Sequence, residues 1–218
     1  MKRTPLCVVV TYAAPGEDGR ERRAPPESTV QALVSSAAPS TIHGRAAHVR
    51  SLARTLAEEL ADNLALPYAQ PGEASDADIC LVVGEEGLFL HDNRHRGLKP
   101  LRVDFESAGD RSRKQPLGRA IGRATRSVVD ATAGWGHDSR RLCAMGCEVT
   151  AVERNPLMSA LLQDAALRAR RAGRGTVPEV AAADSIDFLA AHPGSWDCVY
   201  LDPMFPPKPR ASTLSKRP

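Results

Sequence analysis

The sequence predicts an α/β protein: a parallel sheet wound with helices over its second half, preceded by a small α+β domain. Three observations carry this. From Ser127 onward, strand-like and helix-like hydrophobic patterns alternate, as a parallel sheet with crossover helices requires. The first of these strands runs into Asp130 and is followed by Gly134 and Gly136, a tight turn opening onto a helix N-terminus. The next strand ends in Glu153, about twenty residues beyond the glycines, where a carboxylate can accept from ribose hydroxyls.

Taken in order, Leu6 to Val10 is an apolar run that reads as a buried strand, too short to span a bilayer or serve as a usual signal core. Ala13 to Ser40 is rich in Pro, Gly, Ser and charge and reads as loop, with one short regular piece around Thr29 to Val34. From Ala46 to Leu66, Val49, Leu52, Ala53, Leu56, Leu60 and Leu64 recur at helical steps, and Pro67 stops the helix. Ile79 to Val83 and Gly87 to Leu90 flank a glycine-containing turn and predict a hairpin, and the alternation in Leu101 to Phe105 predicts a further strand.

Residues 1–110 therefore form a small α+β domain in this reading, which can position a substrate but carries no catalytic signature. Residues 111–126 form a basic linker and a short helix, Pro116 to Arg126, with proline at its first turn. Residues 127–218 hold the wound sheet: strands Val128 to Ala131, Glu148 to Val152, Val177 to Ala182 and Asp197 to Leu201. They alternate with helices Asp138 to Met145, Pro156 to Arg171 and Ser185 to Ala191.

Composition excludes several classes. With 29 Lys and Arg against 26 Asp and Glu, the net charge of +3 by itself identifies no polyanion partner. Distribution says more. Arg111, Arg113, Lys114, Arg119, Arg123 and Arg126 occur with no acid among them, directly before the glycine-turn strand, as either a solvated face or a phosphate-contacting one. The five cysteines form no C-x-x-C pair and have no histidine cluster, so they predict buried thiols in a reducing, cytoplasmic setting, with neither a disulfide framework nor a metal site.

The chemistry-bearing end of the chain is Leu201-Asp202-Pro203-Met204-Phe205-Pro206, an acid, a proline and an aromatic at a strand's carboxyl end, where open parallel sheets hold ligands. Together with Asp130 to Asp138 and Val152 to Pro156, this stretch resembles the successive motifs of the small-subunit ribosomal RNA methyltransferase J family. The resemblance is close from about Ser127 to Pro206 and weaker upstream. It implies a Rossmann-like class I methyltransferase sheet, S-adenosylmethionine as cofactor, and methyl transfer to the exocyclic N2 of a guanine in 16S rRNA. It implies no metal, no membrane association and no particular oligomeric state. The family pattern continues with further strands that Lys208 to Pro218 cannot supply, so the sheet is expected to lack its C-terminal strands.

Carried over position by position, the resemblance makes Asp130, Gly134, Gly136, His137, Asp138, Glu153, Arg154, Asp184, Ser185 and Asp202 cofactor-binding residues. His137 departs from the arginine usual in the family. Asp184 can equally cap the helix that follows it. Asp202, the Pro203 carbonyl and Phe205 are the expected catalytic set: two acceptors for the amine N–H groups and a face on which the base stacks. Arg111, Arg113 and Lys114 are expected to contact RNA phosphates. Two other readings fit the residues: methylation of an amino group on DNA or protein, and an RNA-binding module with a relic cofactor site.

Overall fold

The computed structural model describes residues 8–12, 55, 57–64, 68–69, 79–84, 86–95, 97–107, 109 and 111–203. The loop expected over 13–40, most of the helix expected before residue 57, and Met204 onward, including Phe205, lie outside them.

The described residues form two four-stranded sheets. In the first, β1 (Val8–Tyr12), β2 (Tyr68–Ala69), β3 (Ile79–Gly84) and β4 (Gly87–Asp92) are antiparallel in the order β2-β1-β3-β4. Helix α1 (57–64) buries Leu60 and Leu64. The second sheet is parallel, in the order β7-β6-β5-β8. Its strands are β5 (Ser127–Asp130), β6 (Glu148–Val152), β7 (Glu179–Ala181) and β8 (Cys198–Tyr200). Its helices are α3 (His137–Ala144), α4 (Pro156–Arg171) and α5 (Ser185–Ala191), with the short α2 (Pro116–Ile121) before β5.

Strand alternation sorts the helices onto two faces. Val149 and Ala151 of β6 are buried in the clusters that contain α3 and α4 residues, while Thr150, between them, accepts from Trp196 Nε1 at 3.2 Å on the other face. Trp196 stacks with Phe188 of α5, which puts α5 on that second face. That face is thinly covered among the described residues: α5 buries no residue, and Val199 and Leu201 are about half exposed, at 49% and 58%.

Helix α4 joins the two sheets. It is capped by Asn155, whose side chain accepts from Leu157 N and Met158 N, and Pro156 starts it. Its Leu157, Leu161, Leu162 and Ala165 share one apolar cluster with Leu60, Leu81, Leu88, Val103 and Phe105 of the N-terminal half. At its far end, Arg168 Nε donates to Asp164 at 2.8 Å, Arg168 NH2 donates to the Val103 carbonyl at 2.7 Å, and Arg168 pairs with Glu106 at 3.2 Å. Burial pushes the Asp164 carboxyl up, and the Arg168 guanidinium opposes that shift.

Three expectations change. The strand predicted over Leu101 to Phe105 reduces to one antiparallel bridge, Leu101 with Leu90. Beyond it the Val103 carbonyl is taken by Arg168, and Asp104 turns the chain by accepting from Glu106 N and Ser107 N, so no ladder continues. The helix predicted to reach Arg126 ends at Ile121, because Gly122 adopts φ +81° and the carbonyls that follow find another partner. That partner is Arg113, the third correction.

The Arg113 guanidinium donates to the carbonyls of Gly122 (2.8 Å), Thr125 (3.2 Å) and Met145 (3.2 Å), and to Cys147 Sγ (3.3 Å). It pins the linker to the α3–β6 turn. A planar fork committed to carbonyls on several sides is a folding element in place of the expected phosphate contact. Arg113→Ala is therefore expected to lower unfolding stability by about 2 kcal/mol or more, read by urea denaturation; a change under about 0.5 kcal/mol would contradict this role.

Candidate active site at the carboxyl ends of the parallel strands

The site is built from the end of β5 outward. Asp130, its last residue, is 1% exposed; Oδ1 accepts from Thr132 N at 3.1 Å and Oδ2 from Ser139 Oγ at 2.5 Å. It thus fastens the turn to the first turn of α3 from below. Burial is the main cause that raises its carboxyl above the ordinary range, and the negative charges of Asp138 and Glu153 add to it.

Above this anchor the chain turns through Gly134 at φ +50° and Gly136 at φ +69°. A Cβ at Gly134 would meet nothing closer than the Thr132 carbonyl at 3.9 Å, so glycine there serves the backbone angle and an open approach. A Cβ at Gly136 would stand 2.6 Å from the Phe105 ring and 2.7 Å from Leu162, so Gly136 is required by packing against the N-terminal half.

Glu153 locks the second edge. Its Oε2 accepts from Gly134 N at 2.9 Å and its Oε1 from Asn155 N at 2.7 Å, while Glu153 N donates to the Ala181 carbonyl of β7. Asp184 caps α5 by accepting from Ile186 N at 2.9 Å, and its other oxygen lies 3.9 Å from Arg154. Capping and lining a cleft are compatible here, since only one carboxylate oxygen makes the cap. On the third edge, Asp202 N donates to Thr132 Oγ1 at 2.8 Å, and Ala131 N to the Tyr200 carbonyl at 3.0 Å.

These loops surround a cleft of about 430 Å³. Gly134, Glu153, Arg154, Asp184, Ser185, Asp202 and Pro203 all line it. The remaining predicted residues lie elsewhere. Asp130 supports the turn from below, Gly136 packs against Phe105, and His137 is exposed. Asp138 lines a neighbouring cleft, where it accepts from the Tyr200 hydroxyl at 2.7 Å. Arg111 and Lys114 are exposed. Thr132 and Tyr200 were missed: a threonine in a turn and a tyrosine in a strand are common enough that only their distant partners reveal a role. A depression of about 550 Å³, lined in part by Glu148, Arg170 and Trp196, sits at the amino ends of these strands. Size does not separate it from the others; the position rule for parallel sheets does.

The profile of a family described as "Putative SAM-dependent methyltransferase" matches residues 59–217. A ribosomal RNA small subunit methyltransferase J from Pseudomonas aeruginosa is 37% identical over 204 residues, covering 84% of this chain and 74% of that protein. A protein of the same name from Marinobacter nauticus is 36% identical over 182 residues, covering 76% and 65%. Among solved structures, a SAM-dependent methyltransferase from Neisseria gonorrhoeae matches with a TM-score of 0.50 at 28% identity, covering 71% of this chain and 65% of that one.

Fold, profile and relatives together define the class, a methyltransferase whose cofactor is S-adenosylmethionine. Within that class the chain belongs to the ribosomal RNA small subunit methyltransferase J family. Among the described residues, no group of three or more His, Cys, Asp or Glu could hold a metal ion, and no helix is long and apolar enough to cross a membrane.

Asp130 gives the site a pH signature. Because the fold raises its carboxyl above the ordinary value of 3.8, the unfolded chain ionises first as pH rises. Stability is lost from that value up to the raised one and is level beyond it. Wild type should therefore lose stability relative to Asp130→Asn over this window, measured by denaturation at successive pH values. A relative gain would show that the fold favours the ionised form.

Proposed function

We propose that this chain transfers a methyl group from S-adenosylmethionine to the exocyclic N2 of a guanine in 16S rRNA, acting on the RNA or the small ribosomal subunit in the cytoplasm. One observation carries the reading: three carboxylates on three separate loops, Glu153, Asp184 and Asp202, line one cleft, with Arg154 the one cation among its described lining residues. Such a surface attracts a cationic, hydroxyl-rich ligand and repels a diphosphate, so it suits a sulfonium nucleoside and disfavours a dinucleotide. The names of the relatives support the RNA substrate, and the motif resemblance supports the guanine amine.

The cofactor supplies an electrophilic methyl group on a good leaving group. Glu153 is pre-oriented by its two backbone donors and accepts from the ribose hydroxyls. The Gly134 turn lets the backbone approach, with Arg154 beside Glu153 at the rim. Asp184 and Ser185 meet the adenine amine, and His137 and Asp138 border the methionine end.

Asp202 faces the reacting amine. A guanine amine is a poor nucleophile because its lone pair is spread into the ring. The site must therefore align it and accept its N–H groups. Asp202 and the Pro203 carbonyl provide the acceptors, and Phe205 provides the stacking face. As the N–C bond forms, the surplus proton passes to Asp202 and then to water, which reaches this exposed side chain. The 1–110 module serves to position the substrate, while Arg111 and Lys114 contact phosphates.

Asp202→Ala should bind S-adenosylhomocysteine within about twofold of wild type in calorimetry, yet lose about 100-fold or more in tritiated methyl transfer to unmodified small-subunit RNA. Normal turnover would remove Asp202 from the chemistry, and equal transfer to naked DNA or protein would overturn the substrate. Glu153→Ala should weaken S-adenosylhomocysteine by about tenfold or more. The double charge reversal Arg111→Glu, Lys114→Glu should lower the slope of log affinity against log salt by about 1.5. An unchanged slope would clear both from the interface.

A further inference from the structure

Thr132 stands where the cofactor turn meets the loop that carries the reacting edge. The parallel ladder between β5 and β8 runs as far as Asp130 and Tyr200, and Ala131 N closes it by donating to the Tyr200 carbonyl at 3.0 Å. Past that point both segments leave the sheet. β5 enters the glycine turn, and Leu201, Asp202 and Pro203 run exposed. A continuing ladder would offer Asp202 N a backbone carbonyl. The Thr132 side chain takes that place, with Oγ1 accepting from Asp202 N at 2.8 Å.

The acceptor is stiff, and so is what it holds. Thr132 N donates to Asp130 Oδ1 at 3.1 Å, which fastens the residue to a carboxylate that is 1% exposed. The branched side chain then has few rotamers to choose from. On the other side, Pro203 fixes its own φ, disfavours the helical region for Asp202, and has no N–H to make a further backbone bond. Among the described residues, no other hydrogen bond holds Asp202 or Pro203. Thr132, Asp202 and Pro203 all line the cofactor cleft beside Gly134.

Resting on the methyl-transfer reading above, we propose that Thr132 is a positioning residue for the transfer, which acts on turnover through Asp202 and leaves affinity alone. Its oxygen fixes the Asp202 backbone. The Asp202 carboxylate and the Pro203 carbonyl, the two acceptors for the amine, therefore stand at a set place against the methyl group. Because Thr132 also belongs to the turn that lines the cofactor cleft, both reactants are placed from one buried anchor, Asp130. A misplacement of about 1 Å at such a site can cost about 100-fold in rate.

Thr132→Val keeps the branched shape and removes the acceptor. The expected result is a fall of about tenfold or more in kcat for methyl transfer to unmodified small-subunit RNA, with KM for RNA and S-adenosylhomocysteine affinity each within about twofold of wild type. Thr132→Ser keeps the oxygen and should recover most of that loss. In the Asp202→Ala background, Thr132→Val should cost less than it does alone, because the one residue acts through the other. Wild-type kcat in Thr132→Val, a serine variant as slow as the valine one, or an equal cost in both backgrounds would overturn the positioning role and leave the methyltransferase reading standing. A matching loss of S-adenosylhomocysteine affinity would overturn it too, by making Thr132 a cofactor contact. A wild-type protein that binds S-adenosylhomocysteine but methylates no RNA would overturn both.

Discussion

The carboxylate of Glu153 accepts from Gly134 N and Asn155 N at once, so a single side chain ties the turn after β5 to the start of α4. Each bond, partly screened by solvent, contributes on the order of 1 kcal/mol. Their larger effect is geometric. A glycine turn is the most permissive backbone in the fold, and without a fixed partner it would sample many shapes. Glu153 holds it from one side and Asp130 from beneath, so the turn is fastened at two points. Preorganisation of this kind lowers the ordering cost of binding.

The same logic extends outward. Asn155, which steadies Glu153, also caps α4, and α4 carries the apolar cluster shared by both sheets. Gly136 lies against Phe105 of the N-terminal half, and Ala133 of the same turn shares its apolar cluster. Around the third edge, Thr132 holds the backbone of Asp202, which links the β5 turn to the residue proposed for chemistry.

Much of this was legible in the sequence, and the reasons differ by residue. The alternation from Ser127 onward is a periodic signal repeated over seven elements, and β6, α4 and α5 begin and end at the predicted residues. Gly134, Glu153, Asp184 and Asp202 were visible because strand ends and turn glycines occupy fixed places in a wound sheet. Functions set by contacts across the chain were not visible. Gly136 reads as a ligand glycine until Phe105 and Leu162 are seen against it. Arg113 sits in a basic run, and only the carbonyls of Gly122, Thr125 and Met145 show that it faces inward. The alternation of Leu101 to Phe105 is genuine, with Val103 and Phe105 buried, but Arg168 takes the Val103 carbonyl that a ladder would need.

The central claim is that the cleft at the carboxyl ends of β5, β6, β7 and β8 is where the cofactor sits. A crystal structure with S-adenosylhomocysteine tests it most directly. The account predicts ribose hydroxyls within hydrogen-bond distance of Glu153 and the sulfur facing Asp202. Ligand density at the opposite end of the sheet, beside Trp196, with the Glu153 cleft empty, would contradict it.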